Sequence, residues 1–324
     1  MSNKNKLIPK MATTGNALFG AADVPGDKSI SHRVLILGAL TVGETKVRGL
    51  LESSDVLNTA KAMQAFGAEV IENNDKTWSI FGVGVGGFSE PDKVIDCGNS
   101  GTGIRLIMGA MATSSITATF TGDESLVTRP MARVLEPLEK FGAKSISRSD
   151  GLLPLTIEGS SNPISINYSS LIPSAQIKSA VLLAALNSPG TSVFNEPQIS
   201  RDHTENMLSA FGANITVSST EKGNSISIVG YPEFTPQNIV VPGDPSSAAF
   251  PICAALIVKG SRITLKNICY NPTRNGLIIT LCEMGADIKI NNSKKVLPTL
   301  LSRCINYKIN LTSIDSCFLN NQHK

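Results

Sequence analysis

The feature that most constrains this chain is a repeat. A bulky apolar residue followed by Gly-Ala closes a helical pattern four times, at Phe66-Gly67-Ala68, Phe141-Gly142-Ala143, Phe211-Gly212-Ala213 and Met284-Gly285-Ala286. The glycines lie 75, 70 and 73 residues apart, which is the signature of stacked supersecondary units. Glycine at such a point predicts a helix C-terminus, because it enters the left-handed region without a Cβ penalty. Upstream of each closing helix stands a polar, small-residue entry to another helix: Asp27-Lys28-Ser29-Ile30-Ser31, Asn99-Ser100-Gly101-Thr102-Gly103, Pro173-Ser174-Ala175-Gln176 and Asp244-Pro245-Ser246-Ser247. β-Branched runs such as Glu44 to Arg48, Ile116 to Thr121, Thr191 to Phe194 and Arg262 to Leu265 separate the two helices. Each unit therefore reads helix, strand, helix, strand, with further strand after it. The first helix is apolar nearly all round (Val34, Leu35, Ile36, Leu37, Ala39, Leu40) and is expected to be buried, whereas the second is amphipathic and belongs outside. An ordinary α/β sheet with coincidental Gly-Ala helix ends is the plain alternative.

A chain of 324 residues that is 41% hydrophobic can bury substantial cores and make two domains. Lys and Arg number 29 against 26 Asp and Glu, a net charge of +3 spread along the sequence, so no strip advertises a nucleic-acid or anionic membrane surface. Six cysteines at irregular spacing, with no C-x-x-C pair and only three histidines, indicate neither a zinc site nor a disulfide framework. Reduced thiols fit best. The apolar run Ala17 to Ala22 is too short for a signal peptide, no stretch approaches a membrane span, and a cytoplasmic location is expected.

The repetition weakens after Ile290. Residues 291–324 contain no Gly, Ala or Glu. They read as an atypical tail, and the fourth unit as incomplete, as a truncation or a change of reading frame would leave it; a divergent but folded C-terminal extension is the other reading.

Charge gathers at the helix entries. Ser29 and Arg33 are four residues apart and share a helix face, with Lys28 at the entrance. Cations at a helix N-terminus oppose the macrodipole, and a bound anion reverses the sign of that interaction. A solvated helix end carrying unpaired Lys and Arg is the other reading. Further entries bring Gly101 with Arg105, Arg129 with Pro130 in the first turn of the next helix, Ser174-Ala175-Gln176, and Arg201-Asp202-His203. Equivalent positions of repeated units fall on one side of a fold, so these groups could line one cleft and hold a ligand with more than one anionic group. Beyond Asp202 beside His203, neither His32 nor His203 has a partner at metal or triad spacing; both read as structural, and no Walker or Rossmann fingerprint is present.

Taken together, Pro25 to Arg33, Gly98 to Gly103, Arg129-Pro130-Met131, Ser174 to Ser179, Arg201-Asp202-His203-Thr204-Glu205 and Pro242 to Ser247 closely resemble the 5-enolpyruvylshikimate-3-phosphate synthase family, in order, from about Gly20 to Ile290. The resemblance implies an α/β, two-lobed enolpyruvyl transferase fold, an inside-out α/β barrel of repeated βαβαββ units, with the second lobe incomplete here. Residues 25–241 would form the complete lobe of three units, 1–24 and 242–290 part of the second, and 291–324 the atypical tail.

The implied reaction transfers the enolpyruvyl group of phosphoenolpyruvate to the 5-hydroxyl of shikimate 3-phosphate, with no metal or organic cofactor. Carried over by motif, Lys28 is the catalytic residue and contacts both substrates. Ser29, Arg33, Ser174, Ala175 and Arg201 would hold shikimate 3-phosphate, Gly101 and Arg129 would seat phosphoenolpyruvate, and Gln176 would touch both. A glycine rather than an alanine at position 101 implies sensitivity to glyphosate. The family's proton-transfer carboxylates, a further Lys and the remaining phosphoenolpyruvate-binding Arg residues fall in units beyond those seen here. The expected assembly is accordingly a monomer, or a pairing with a separately made C-terminal part. A non-catalytic substrate-binding half-protein is the main alternative. The related transferase acting on UDP-N-acetylglucosamine should show Lys-Asn where this chain has Lys28-Ser29.

Overall fold

The computed structural model describes residues 15–295 and 303–310. Strand β1 (Phe19–Ala22) leads to helix α1 (Lys28–Ala39), followed by β2 (Gly43–Arg48), α2 (Ser54–Ala65), β3 (Glu69–Glu72) and β4 (Thr77–Gly82). Next come β5 (Ile95–Asp96), α3 (Gly101–Met111), β6 (Thr117–Thr121), α4 (Ala132–Lys140), β7 (Lys144–Ser147) and β8 (Leu155–Glu158). A third set comprises β9 (Asn167–Ser169), α5 (Ala175–Ala185), β10 (Thr191–Glu196), α6 (His203–Phe211), β11 (Ile215–Ser219) and β12 (Asn224–Val229). After β13 (Asn238–Val240) the chain runs through α7 (Pro245–Ile257), β14 (Arg262–Tyr270), α8 (Gly276–Glu283), β15 (Ile288–Lys295) and β16 (Arg303–Asn310).

These strands make four separate four-stranded sheets, ordered β13-β2-β4-β3, β5-β6-β8-β7, β9-β10-β12-β11 and β1-β14-β16-β15. Every sheet has the same plan: its first pair is parallel, as in β13 with β2 or β1 with β14, and the other two are antiparallel. A parallel pair needs a crossover, and the buried helix of each unit provides one in the second and third sheets. The first and fourth sheets borrow that strand from far along the chain. Strand β13 returns to pair with β2, and β1 pairs with β14, so the backbone crosses twice between the fourth unit and the other three.

The four predicted helix-closing glycines all hold positive φ, from 91° at Gly285 to 105° at Gly212. Helices α1, α3 and α5 are buried almost throughout, and α2, α4 and α6 bury one face, as their patterns predict. The contact of α3 with α5 depends on Gly109, where a Cβ would stand 2.5 Å from the Ala180 Cα and carbonyl oxygen. One large apolar core runs through the first three units. A second joins Ala248, Ile252, Ala255 and Leu256 of α7 to Ile263, Leu265 and Ile268 of β14 and Ile278 of α8.

Two expectations need correction. The fourth sheet is not broken off at Ile290: β15 pairs with β16, and β16 with β14, completing the plan of the other three. Backbone pairing needs extended residues rather than Gly or Ala, and Ile305, Tyr307 and Ile309 alternate as a strand requires. The rest of the tail, and the residues before Gly15, lie outside the described residues. Helix α7 also differs from its counterparts, with Phe250 80% and Ile257 81% exposed. It packs on β14, and it lacks the enclosure that α1, α3 and α5 give one another.

Candidate active site

Each buried helix starts with a side-chain cap. Asp27 accepts from the Ile30 N–H at 3.0 Å, Ser100 from Gly103 at 2.9 Å, Ser174 from Ile177 at 3.4 Å and Asp244 from Ser246 at 2.7 Å. Capping satisfies one orphan donor at each N-terminus and leaves others facing out of the helix mouth. Polar contacts then tie the mouths together. His32 of α1 bonds Thr59 (2.8 Å) and the Ser100 cap (3.2 Å), and the Lys28 N–H donates to Asp244 at 3.1 Å. Arg105 of α3 donates to the Gln176 side-chain oxygen of α5 at 2.9 Å, while the Gln176 amide donates to Thr102 at 3.0 Å.

The residues singled out in the sequence fall into this neighbourhood with different surroundings. Lys28 is exposed and ion-paired with Asp55 of α2, a carboxylate that no sequence signal pointed to. Asp55 thus supplies the negative charge that a cation at a helix mouth lacks. Arg33 is buried; it donates through Nε to Thr204 (2.7 Å), through Nη2 to Ser179 (2.8 Å) and through Nη1 to the Ser29 carbonyl (2.9 Å). Burial pushes its pKa down to about 10. Ser174, Ala175 and Gln176 open α5 and are half-buried. Arg201 is exposed ahead of α6, with no hydrogen-bond or ion-pair partner among the described residues.

Gly101 begins α3 between two guanidinium groups. A Cβ there would sit 3.0 Å from Arg105 Nη1 and 3.1 Å from Arg129 Nη1. Arg129 is held by Ser125 (2.8 Å) and by the side chain and carbonyl of Asn99. Helix α4 begins at Ala132, so Pro130 precedes the helix instead of occupying its first turn. Burial, with Arg133 and Arg129 nearby, lowers the Arg105 pKa to about 10, and its Nε has no partner. Among the described residues, none of Arg33, Arg105, Arg129 and Arg201 forms an ion pair with a carboxylate. Four guanidinium groups without an ion-paired carboxylate, beside free helix N-termini, favour a polyanionic ligand.

Both histidines are buried. His32 is a buried strut whose pKa is pushed down to about 3, chiefly by burial, and His203 is buried with neither ring nitrogen bonded. Sequence reasoning missed Arg274 of the fourth unit, which ion-pairs with Asp27 and with Asp244 (3.1 Å) and donates to Ser246 (2.8 Å). Nor did any signal announce that Lys178, Glu196 and Glu205 meet in the interior. Among the described residues no cluster of His, Cys, Asp and Glu is arranged to hold a metal ion, and no helix is long and apolar enough to cross a membrane. A depression of about 610 Å³ over the first sheet, bordered by Lys46, Arg48, Asn73 and Asn238, shares no residue with the mouths.

Residues 12–314 match the family model described as EPSP synthase (3-phosphoshikimate 1-carboxyvinyltransferase). A 3-phosphoshikimate 1-carboxyvinyltransferase of Ruegeria sp. (strain TM1040) is 60% identical over 294 residues, covering 91% of this chain and 65% of the relative. One from Rhodopseudomonas palustris (strain ATCC BAA-98 / CGA009) is 56% identical over 291 residues, 89% of this chain and 65% of the relative. A solved structure of EPSP synthase from Acinetobacter baumannii superposes with a TM-score of 0.82 at 37% identity, covering 92% of this chain and 66% of that one. The chain therefore spans slightly less than two-thirds of the length of these relatives. A family match over nearly the whole chain, on a fold of repeated units whose helix mouths gather its basic residues, makes this protein a member of the EPSP synthase family.

Proposed function

We propose that the helix mouths bind shikimate 3-phosphate and phosphoenolpyruvate, and that the chain serves the transfer of the enolpyruvyl group to the shikimate 5-hydroxyl. The observation that carries this reading is the group of four guanidinium side chains at the mouths with no carboxylate partner among the described residues. In this reading Ser29, Arg33, Ser174, Ala175 and Arg201 hold shikimate 3-phosphate, with the free N–H groups of α5 on its phosphate. Gly101 and Arg129 seat phosphoenolpyruvate, and Lys28 and Gln176 reach both substrates. Protonation of the phosphoenolpyruvate methylene makes C2 electrophilic, the 5-hydroxyl oxygen adds there as its proton is released, and phosphate leaves from the tetrahedral intermediate as the methyl group formed from that methylene gives back a proton. Bringing two anions together for that addition is a task of positioning and charge stabilisation.

The same reading assigns residues 25–241 to one complete lobe and 1–24, with the chain from 242 through strands β15 and β16, to part of a second, with a cytoplasmic location and a monomeric state. The support for that division is the pair of distinct apolar cores and the two backbone crossings between them. A second reading, substrate binding without turnover, is favoured by the carboxylates at the mouths, Asp27, Asp55 and Asp244, each of which is already held in an ion pair with Arg274 or Lys28.

Phosphate release from phosphoenolpyruvate, measured on the folded chain with and without shikimate 3-phosphate, separates the two. Release that needs both substrates supports transfer. Binding of shikimate 3-phosphate with no release supports the second reading, and absence of both binding and release contradicts each.

A further inference from the structure

Behind the mouths of α5 and α6 lies a buried ionic set that the reading above does not use. Lys178 of α5 is 0% exposed; its Nζ stands 2.6 Å from Glu205 of α6 and 3.0 Å from Glu196 at the end of β10. Removing three charges from water is costly, and well-packed apolar residues are often as stable or more so. Burial raises the pKa of the Glu205 carboxyl in spite of Lys178, and its Oε2 has no partner. Stability alone therefore gives a weak reason for the arrangement.

Its neighbours supply a better one. Thr204 and Ser179, each next in sequence to a member of the ion pair, are the two hydroxyls that hold Arg33. The hydrogens in this chain have a single consistent assignment. Ser179 donates to the Ala175 carbonyl (2.5 Å), Thr204 donates to Ser179 (2.6 Å), and Arg33 donates to both, at 2.7 Å to Thr204 and 2.8 Å to Ser179. The chain runs from the guanidinium to the first residue of α5, at the mouth itself. Both hydroxyls receive Arg33 only while α5 and α6 keep their present register. With Nη1 on the Ser29 carbonyl, three of the five N–H groups of the guanidinium are used and two remain for a ligand.

We propose that Lys178 and Glu205 are positioning residues whose buried ion pair locks α5 against α6, so that Thr204 and Ser179 hold the Arg33 guanidinium at the shikimate 3-phosphate position. The proposal rests on the reading above for the identity of that ligand. Glu196 adds to the lock from the far side: it also accepts from the N–H and hydroxyl of Ser200, the residue before Arg201.

The test compares the full chain with Glu205→Gln, which keeps the shape and removes the charge, and with the double variant Lys178→Met, Glu205→Leu, which exchanges the pair for apolar volume and leaves Glu196 to its donors Ser200 and Asn224. Each is measured by thermal unfolding, by calorimetric titration with shikimate 3-phosphate, and by the Arg33 Nε–H resonance in ¹⁵N spectra, assigned through Arg33→Lys. The expected result is a folded double variant that binds about tenfold more weakly, a factor that corresponds to about 1.4 kcal/mol, and has lost the protected Arg33 resonance. Unchanged affinity and resonance in a folded variant would overturn the proposal. If the double variant does not fold, Glu205→Gln decides between the same two outcomes by affinity and resonance. If the unaltered chain does not bind shikimate 3-phosphate, the ligand assignment fails, and the Arg33 resonance alone decides: its loss in the variants supports the positioning role and its persistence refutes it.

Discussion

Arg274, in the fourth unit, ion-pairs with Asp27, the residue that caps helix α1 in the first, and the same guanidinium reaches Asp244, the cap of α7. One cation is thereby shared by the caps of two helices that belong to different apolar cores. Replacing Arg274 by Met leaves two carboxylates facing each other where burial already raises the Asp27 pKa. Loss of one partner of such a buried pair is expected to cost about 3 kcal/mol, read as a lower urea midpoint. An unchanged midpoint would show that Arg274 does not join the units.

Gly109 offers a test of the helix packing that brings the mouths together. An added methyl at this position meets the Ala180 backbone at 2.5 Å, and backbone cannot move aside as a flexible side chain does. Gly109→Ala is expected to destabilise the fold by about 1–3 kcal/mol, despite the better helix propensity of alanine. A variant with raised stability would show that α3 and α5 lie farther apart.

The buried histidine fixes the sign of an acid response. His32 titrates at about 3 when folded and near its ordinary value of 6.5 when unfolded. Between those values the unfolded chain binds the extra proton, so the stability of the fold drops as pH is lowered from 6.5 toward 3, by up to about 1.4 kcal/mol per pH unit. His203 is displaced in the same direction. In His32→Asn the denaturant midpoint should depend less steeply on pH across that window, and an identical slope would contradict the assignment.

Gly101 sits where a methyl crowds the guanidinium groups of both Arg105 and Arg129. Gly101→Ala is expected to weaken binding of glyphosate, a longer anion than phosphoenolpyruvate, by at least tenfold more than it weakens phosphoenolpyruvate. Competition titrations with the two anions check this. Equal losses for both would place the inhibitor elsewhere.

Much of this molecule was legible in its sequence because the features that wrote it are local. A helix that must end in a left-handed residue shows Gly67, Gly142, Gly212 and Gly285, and a helix enclosed on all sides shows Val34 to Leu40 with no polar stripe. The residues at the mouths were legible for the same reason, since caps and basic side chains stand within a turn of the helix start. What could not be read were relations across long separations. Lys178 and Glu205 were both visible in their motifs, but only the packing of α5 on α6 puts them 2.6 Å apart. Asp55 and Arg274 carry no local signal at all; the fold brings them to Lys28 and Asp27. Strand β15 starts where the repeat places a strand, after Gly285-Ala286, whereas β16 escapes a reading by composition, and the alternation of Ile305, Tyr307 and Ile309 is the pattern that marks it.

The central claim is that the mouths of α1 and α5, with Arg201 ahead of α6, form one site for shikimate 3-phosphate. Isothermal titration of the folded chain with this compound, alongside Ser29→Ala and Arg201→Ala, tests it most directly. The account predicts one binding event per chain, weakened about tenfold or more in both variants, as expected for loss of a hydrogen bond or charge contact to an anion. Absence of binding, or binding that neither substitution alters, would contradict it.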